Sequence, residues 1–331
     1  MAKMKKPARI GVFEPVESIG QGSMGEVWLC HDSSLDRPLV VKLVHMELRN
    51  TQSMLDRFQR EVQVLASLSH PNIVGVYGYW SEGGMLYLSM EFVNGWTLQQ
   101  VLEKCPRLPS WAVLAILHDT LSALAHAHRK KVVHRDLKPS NLMVGFNGRV
   151  KLLDFGIAHQ HNSDQDITLP GTLIGTTAYM SPEQSRGVAA GYTSDLFSLG
   201  IVGWEMLTGA HPFRGETSEK TFQRIQHQQV DPAALPLDTP PLLRRLLLQM
   251  LQKDSINRPA SAEDALRLCD LAMQGLPYEI APYLRDMVLD VRKTATIPTG
   301  PVWKRPNSLR KILAIAVGSS LVVGFLLGKI L

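Results

Sequence analysis

Val133-His134-Arg135-Asp136-Leu137-Lys138-Pro139-Ser140-Asn141 is the stretch on which the reading of this chain turns. Asp154-Phe155-Gly156 comes after it, and Ser181-Pro182-Glu183 later still. Taken singly, a surface aspartate or a turn asparagine is ordinary. The ordered set, with carboxylates, an ammonium and an amide at fixed separations, is not.

Working upstream, Leu39-Val40-Val41-Lys42 puts one lysine on an otherwise apolar strand. A buried ammonium is costly unless it is paired, and a carboxylate together with nucleotide phosphates would satisfy it. Glu61, on a helix predicted over residues 52–68, is the candidate carboxylate. Further upstream lies Gly20-Gln21-Gly22-Ser23-Met24-Gly25. Alone, that glycine pattern fits a dinucleotide site or an ordinary loop. A dinucleotide loop must open a helix, whereas Glu26-Val27-Trp28-Leu29-Cys30 alternates and reads as a strand. A glycine loop between two strands makes a flap whose backbone N–H groups can lie over phosphates, and that context points to a kinase.

The surrounding pattern predicts an α+β chain. Short strands are expected around 10–19, 26–31, 39–44, 74–79 and 85–92, with Leu55, Phe58, Val62 and Leu65 marking the helix between them. From residue 97 the character becomes helical. Ser110 is the expected cap of a helix through Val113, Leu117, Leu121 and Leu124, with further helices near 194–208, 217–228, 240–252 and 261–273. Strand-rich then helix-rich order implies a small lobe followed by a larger helical one.

With the glycine loop and Lys42, these motifs resemble the eukaryotic-like (Hanks-type) serine/threonine protein kinases, and within them the bacterial membrane-bound members. The similarity covers about residues 10–275. It implies a two-lobed kinase fold: a basic tail over 1–9, an N-lobe over 10–93 and a C-lobe over 94–275. A juxtamembrane segment and linker over 276–311, the Pro/Thr/Gly-rich linker itself at 294–306, and a transmembrane helix over 312–330 complete the expected organisation. It also implies ATP-dependent phosphorylation of Ser/Thr side chains of proteins, the chain's own activation loop included.

By resemblance, Asp136 is the catalytic base, Lys138 neutralises charge on the moving phosphate, and Lys42 paired to Glu61 grips the α- and β-phosphates. Asn141 and Asp154 would hold Mg²⁺, with Mn²⁺ as a substitute. Adenine would lie between Val27 and Val40 above and Met143 below, beside a Glu91-Phe92-Val93 hinge with Met90 as gatekeeper. Val40 departs from the family's usual alanine. Arg135 marks kinases activated by loop phosphorylation, with Thr168 and Thr172 the candidate sites and Thr176 structural. Glu183 with Arg258, and Asp195, take scaffold roles. His126 and His128, two residues apart, fall on different helix faces and read as structural. Two rivals stand beside this reading: a catalytically silent scaffold of the same shape and a small-molecule kinase.

The formal net charge of +5 divides unevenly along the chain. Residues 1–9 and 292–331 carry 11 cations and no acid, leaving 24 basic against 30 acidic residues between them. Basic ends on an acidic body suit an anionic membrane surface and argue against a nucleic-acid-binding fold. Three widely spaced cysteines, Cys30, Cys105 and Cys269, indicate a reducing compartment, and the N-terminus lacks a secretory h-region.

Residues 312–328 form a run of 17 without a charge, between Lys311 and Lys329. As a helix this spans about 26 Å, which snorkelling lysines extend to a bilayer core. Lys304, Arg305, Arg310 and Lys311 crowd its N-terminal flank. The expected location is therefore the inner cell membrane, single-pass, with the kinase domain cytoplasmic and no extracellular domain after the span. Ala316, Ser320, Gly324 and Gly328 make a small-residue stripe that could pair two copies.

Overall fold

The computed structural model describes residues 7–22, 25–45, 51–83, 85–155, 177–276 and 279–294. Five strands, β1 (Glu14–Gly22), β2 (Gly25–Asp32), β3 (Arg37–His45), β4 (Val76–Glu82) and β5 (Met85–Glu91), form an antiparallel sheet in the order β1-β2-β3-β5-β4. Helix α1 (Thr51–Ala66) joins β3 to β4. The strand period of two divides the side chains between two faces. Trp28, Cys30, Leu39 and Val41 bury themselves on one face with Ile10, beside the stacked pair Trp80–Tyr87. In another cluster of this lobe, Val62 of α1 packs with Leu86 and Leu88 of β5. Ile10 and Phe13 close a turn through Gly11 at φ +58, so the first regular strand begins at Glu14 and not at residue 10.

Beyond the hinge stretch, β6 (Gly95–Thr97), β7 (Leu142–Gly145) and β8 (Val150–Leu152) make a three-stranded sheet. Helices α2 (Leu98–Lys104) and α3 (Ser110–Arg129) separate β6 from β7. Later come α4 (Pro182–Ser185), α5 (Tyr192–Thr208), α6 (Ser218–His227), α7 (Pro241–Met250), α8 (Ala262–Met273) and α9 (Ala281–Thr294). Helices α3 and α5 are apolar on almost every side and fill the centre of the large core, as burial all round requires. Gly203 lets α5 approach α7, since a Cβ there would lie 2.6 Å from Leu247 Cδ2.

One expectation is corrected. Pro109, already extended at φ −66, occupies the cap position of α3 and makes no side-chain cap bond; Ser110 is the first helical residue. Within the juxtamembrane segment expected over 276–311, α9 buries Leu284, Met287, Val288 and Val291 in the main core. An apolar stripe at three- and four-residue spacing on a tethered segment gains more from docking than from staying in water. Among the described residues no helix is long and apolar enough to cross a membrane. The expected span over 312–330, with Ala316, Ser320, Gly324 and Gly328, lies outside them.

Candidate active site

The 133–141 loop is held by a buried aspartate from α5. Asp195 Oδ2 accepts from His134 N at 2.8 Å, and Asp195 Oδ1 accepts from Arg135 N at 2.9 Å. His128 Nε2, on α3, also lies 2.8 Å from Asp195 Oδ2. These bonds fix Arg135 at φ +69, a left-handed conformation costing a non-glycine residue about 1–2 kcal/mol. The neighbouring His126 has no part in this network; its ring stands 5.2 Å from that of His70.

The same loop is stitched to the residues just beyond β8. His134 Nε2 donates to Leu153 O at 2.7 Å, Leu153 N donates to Asn141 O at 2.9 Å, and the His134 and Phe155 rings lie 4.8 Å apart. Asp154, at φ +42, is thereby presented between the lobes.

Asp136, Lys138 and Asn141 form one cluster. Asp136 Oδ2 accepts from Lys138 Nζ at 2.7 Å and from Asn141 Nδ2 at 3.2 Å. Asn141 Nδ2 also donates to Asp136 O at 2.7 Å, which commits the amide NH₂ and presents its Oδ1 as an oxygen donor. Lys42, on β3 opposite Val27 and Leu88, reaches across to Asp154 Oδ2 at 2.9 Å. Its carboxylate contact in this structure is thus Asp154. Glu61 stands on α1 with its Oε2 buried.

The donor set suits magnesium. A carboxylate on Asp154 and an amide oxygen on Asn141 are hard ligands, and this ion takes few protein groups when phosphates supply others. Manganese accepts the same donors. No group of three His, Cys, Asp or Glu side chains forms a metal site among the described residues.

Around the cleft, Gly20 and Gly22 lie on β1, and Gly25 opens β2 at φ +137. Any Cβ at Gly25 would sit 1.7 Å from Leu43 O, so only glycine lets the loop return this close to β3. Gln21 also falls on β1, while Ser23 and Met24 lie outside the described residues. Val40, buried, stands opposite Leu29 on β2 and Met90 on β5. Glu91 is tethered by Lys151 Nζ at 2.8 Å and by Gly75 N at 3.1 Å, fixing the strand that leads to Val93. Met143 lies on β7 opposite Thr97 of β6. Thr168, Thr172 and Thr176 lie outside the described residues.

The large lobe holds a buried ion pair. Arg258 donates to both oxygens of Glu183, at 2.7 and 2.8 Å. Burial opposes the Glu183 charge, but hydrogen bonds from Arg258 and Ser194 outweigh it and hold the carboxyl down at about 2.

Sequence reasoning missed one feature beside Lys138. Tyr179 OH donates to Glu205 Oε2 at 2.6 Å at a cavity of about 470 Å³, which Gln99, Glu103, Lys138 and Arg214 also line. Burial raises the Glu205 pKa, against the Tyr179 bond and the Arg214 charge. The signal was present: an acid on the largely apolar later turns of α5 needs a partner.

Comparison with known proteins agrees with this architecture. The protein kinase domain family matches residues 13–268. The serine/threonine-protein kinase PrkC of Bacillus subtilis is 37% identical over 255 residues, covering 77% of this chain and 39% of that protein. The serine/threonine-protein kinase PknB of Mycolicibacterium smegmatis is 36% identical over 258 residues, 76% of this chain and 41% of that protein. The serine/threonine-protein kinase PknA of Mycobacterium tuberculosis is 38% identical over 245 residues, 72% and 56%. The matched stretch therefore spans well under two thirds of each of these relatives. The chain belongs to the protein kinase family, among the Hanks-type serine/threonine kinases of bacteria.

Proposed function

We propose that this protein transfers the γ-phosphoryl group of ATP to serine and threonine hydroxyls of protein substrates. The observation that carries the proposal is the juxtaposition of Asp136, Lys138 and Asn141 in one bonded cluster, with the Lys42–Asp154 pair in the same cleft. Phosphoryl transfer demands positioning and charge neutralisation more than covalent chemistry. Asp136 orients the attacking hydroxyl and takes its proton. Lys138 neutralises charge on the moving group, and Lys42, with Glu61 behind it, holds the α- and β-phosphates. Gly20 to Gly25 cover the phosphates, while Val27, Val40, Met90, Glu91, Val93 and Met143 enclose adenine. Asn141 and Asp154 would hold Mg²⁺, which when bound screens phosphate charge and polarises the phosphoryl oxygens.

The test is label transfer from γ-labelled ATP to a generic protein substrate, comparing wild type with Asp136→Asn. Removing the base should cost roughly 10²–10⁴-fold in rate. Equal label in both proteins would leave a scaffold in place of an enzyme.

The uncharged run at 312–328, flanked by basic residues, supports anchoring to the inner membrane with the kinase domain on the cytoplasmic side. Its stripe Ala316, Ser320, Gly324 and Gly328 supports pairing of two copies, each modifying the other at Thr168 or Thr172. Fractionation of cells expressing residues 1–331 or 1–311 checks the anchor: recovery of both in the soluble fraction removes it. Phosphopeptide mapping finding Thr168 and Thr172 bare in active protein removes the modification, and an unchanged association signal for Gly324→Ile in a membrane reporter removes the pairing.

A further inference from the structure

Helix α9 lies after the residues that the kinase family matches. Its buried side chains Leu284, Met287, Val288 and Val291 enter the core against α2, α3 and β7. At its start, the Ala281 carbonyl sits on the turn between β7 and β8. Gly148 occupies that turn at φ +76, and a Cβ there would stand 1.8 Å from Ala281 O. At its far end, the Arg292 guanidinium carbon lies 5.1 Å from the centre of the Phe146 ring.

Phe146 links this contact to the cleft. It directly follows β7, the strand that carries Met143, and its N–H donates to Asn94 O at 2.9 Å. Asn94 is the residue after Val93 at the end of the hinge stretch. Helix α9 therefore touches both ends of the segment that supports the proposed adenine slot: the β7 strand beneath it and, through Phe146, the backbone beside the hinge. The 133–141 loop has its own anchor in Asp195. A close-packed interior transmits small displacements to whatever rests on it.

We propose that α9 is a positioning element for the nucleotide, with Arg292 on Phe146 and the Ala281–Gly148 contact holding β7 and the hinge backbone at the separation adenine requires. This rests on the reading of Met143 and residues 91–93 as the adenine contacts. Loosening α9 widens the slot and lowers nucleotide affinity, while Asp136 and Lys138, next to the Asp195-held backbone of His134 and Arg135, keep their geometry. The effect therefore falls on KM for ATP and not on kcat.

The experiment measures binding of a fluorescent ATP analogue to the full chain, together with KM and kcat, for wild type and Arg292→Ala, Arg292→Lys and Gly148→Ala. Arg292→Ala should weaken nucleotide binding about two- to five-fold, the worth of an exposed cation–π contact. Arg292→Lys, which keeps a cation over the ring, should recover most of it. Gly148→Ala, which forces the start of α9 away, should weaken binding further. Should that variant fail to fold, the exposed Arg292 pair decides alone. Wild-type affinity in Arg292→Ala, or a fall in kcat at unchanged affinity, overturns the proposal. A wild-type protein that binds no ATP analogue overturns instead the kinase reading beneath it.

Discussion

The backbone N–H of Arg135 donates to Asp195 Oδ1 at 2.9 Å, across 60 positions of sequence. One carboxylate on α5 thereby sets the conformation of the loop that carries Asp136. Asp195 accepts two backbone N–H groups and meets His128, so both its oxygens are committed. Replacing it with asparagine turns one acceptor into a donor facing other donors. Asp195→Asn should lose about 2–4 kcal/mol of stability and most of its transfer activity. Urea unfolding and label transfer measure the two, and a fully active, wild-type-stable variant would show that the loop holds itself.

His211 gives the fold an acid-sensitive point. Its Nε2–H donates to Ala178 O at 3.0 Å and its Nδ1 accepts from Phe213 N at 3.1 Å, so the neutral ring is the one accommodated. Burial, assisted by the Arg214 charge, pushes its pKa from 6.5 to about 4. The unfolded chain binds this proton first on acidification. Stability from His211 is complete above pH 6.5 and declines between 6.5 and 4, by up to about 3 kcal/mol. His211→Gln should flatten that part of the stability profile, and a slope equal to wild type would assign it elsewhere.

Glu183 acts lower on the pH scale. Its carboxyl is held at about 2 against an ordinary 4.5, so the folded state keeps it ionised where the unfolded chain does not. The stabilisation is present above pH 4.5 and is lost as pH falls towards 2. Glu183→Gln removes this dependence and leaves the buried Arg258 without its charge partner, costing about 3–5 kcal/mol at neutral pH. Guanidinium unfolding of the variant across roughly pH 3–7 checks both parts, and a neutral-pH loss under about 1 kcal/mol counts against the pair as a main fastener of the large lobe.

Tyr179 and Glu205 provide a test near the cavity beside Lys138. Tyr179→Phe withdraws the O–H donor from a carboxylate whose burial already raises its pKa. The loss should be about 1–3 kcal/mol, the cost of an unsatisfied buried acceptor. Urea midpoints of the two proteins report it. A variant as stable as wild type would mean that another donor takes the place of the phenol.

Much of this fold was legible because its signals are local. Alternation in 26–30 marked β2, the short Val- and Leu-rich run 39–44 marked β3, and apolar spacing marked the helices that became α5 to α8. The three-stranded sheet was not legible: β6 and β8 have three residues each, too few to establish a period, and form only because β7 lies between them. Helix α9 was hidden for another reason. Its apolar stripe is interrupted by Arg285, Asp286 and Asp290, and only the surface formed by α2, α3 and β7 gives the stripe something to cover.

The sequence alone determined the family, the order of the lobes and the identities of the charged and amide side chains, because motif order and hydrophobic period are properties of the linear chain. Tertiary structure decided which of those groups meet. Lys42 contacts Asp154 across 112 positions, and Asp195 rather than a nearer residue holds Arg135. Such choices depend on which carboxylate a folded core brings within about 3 Å of a donor, and no local propensity carries that distance.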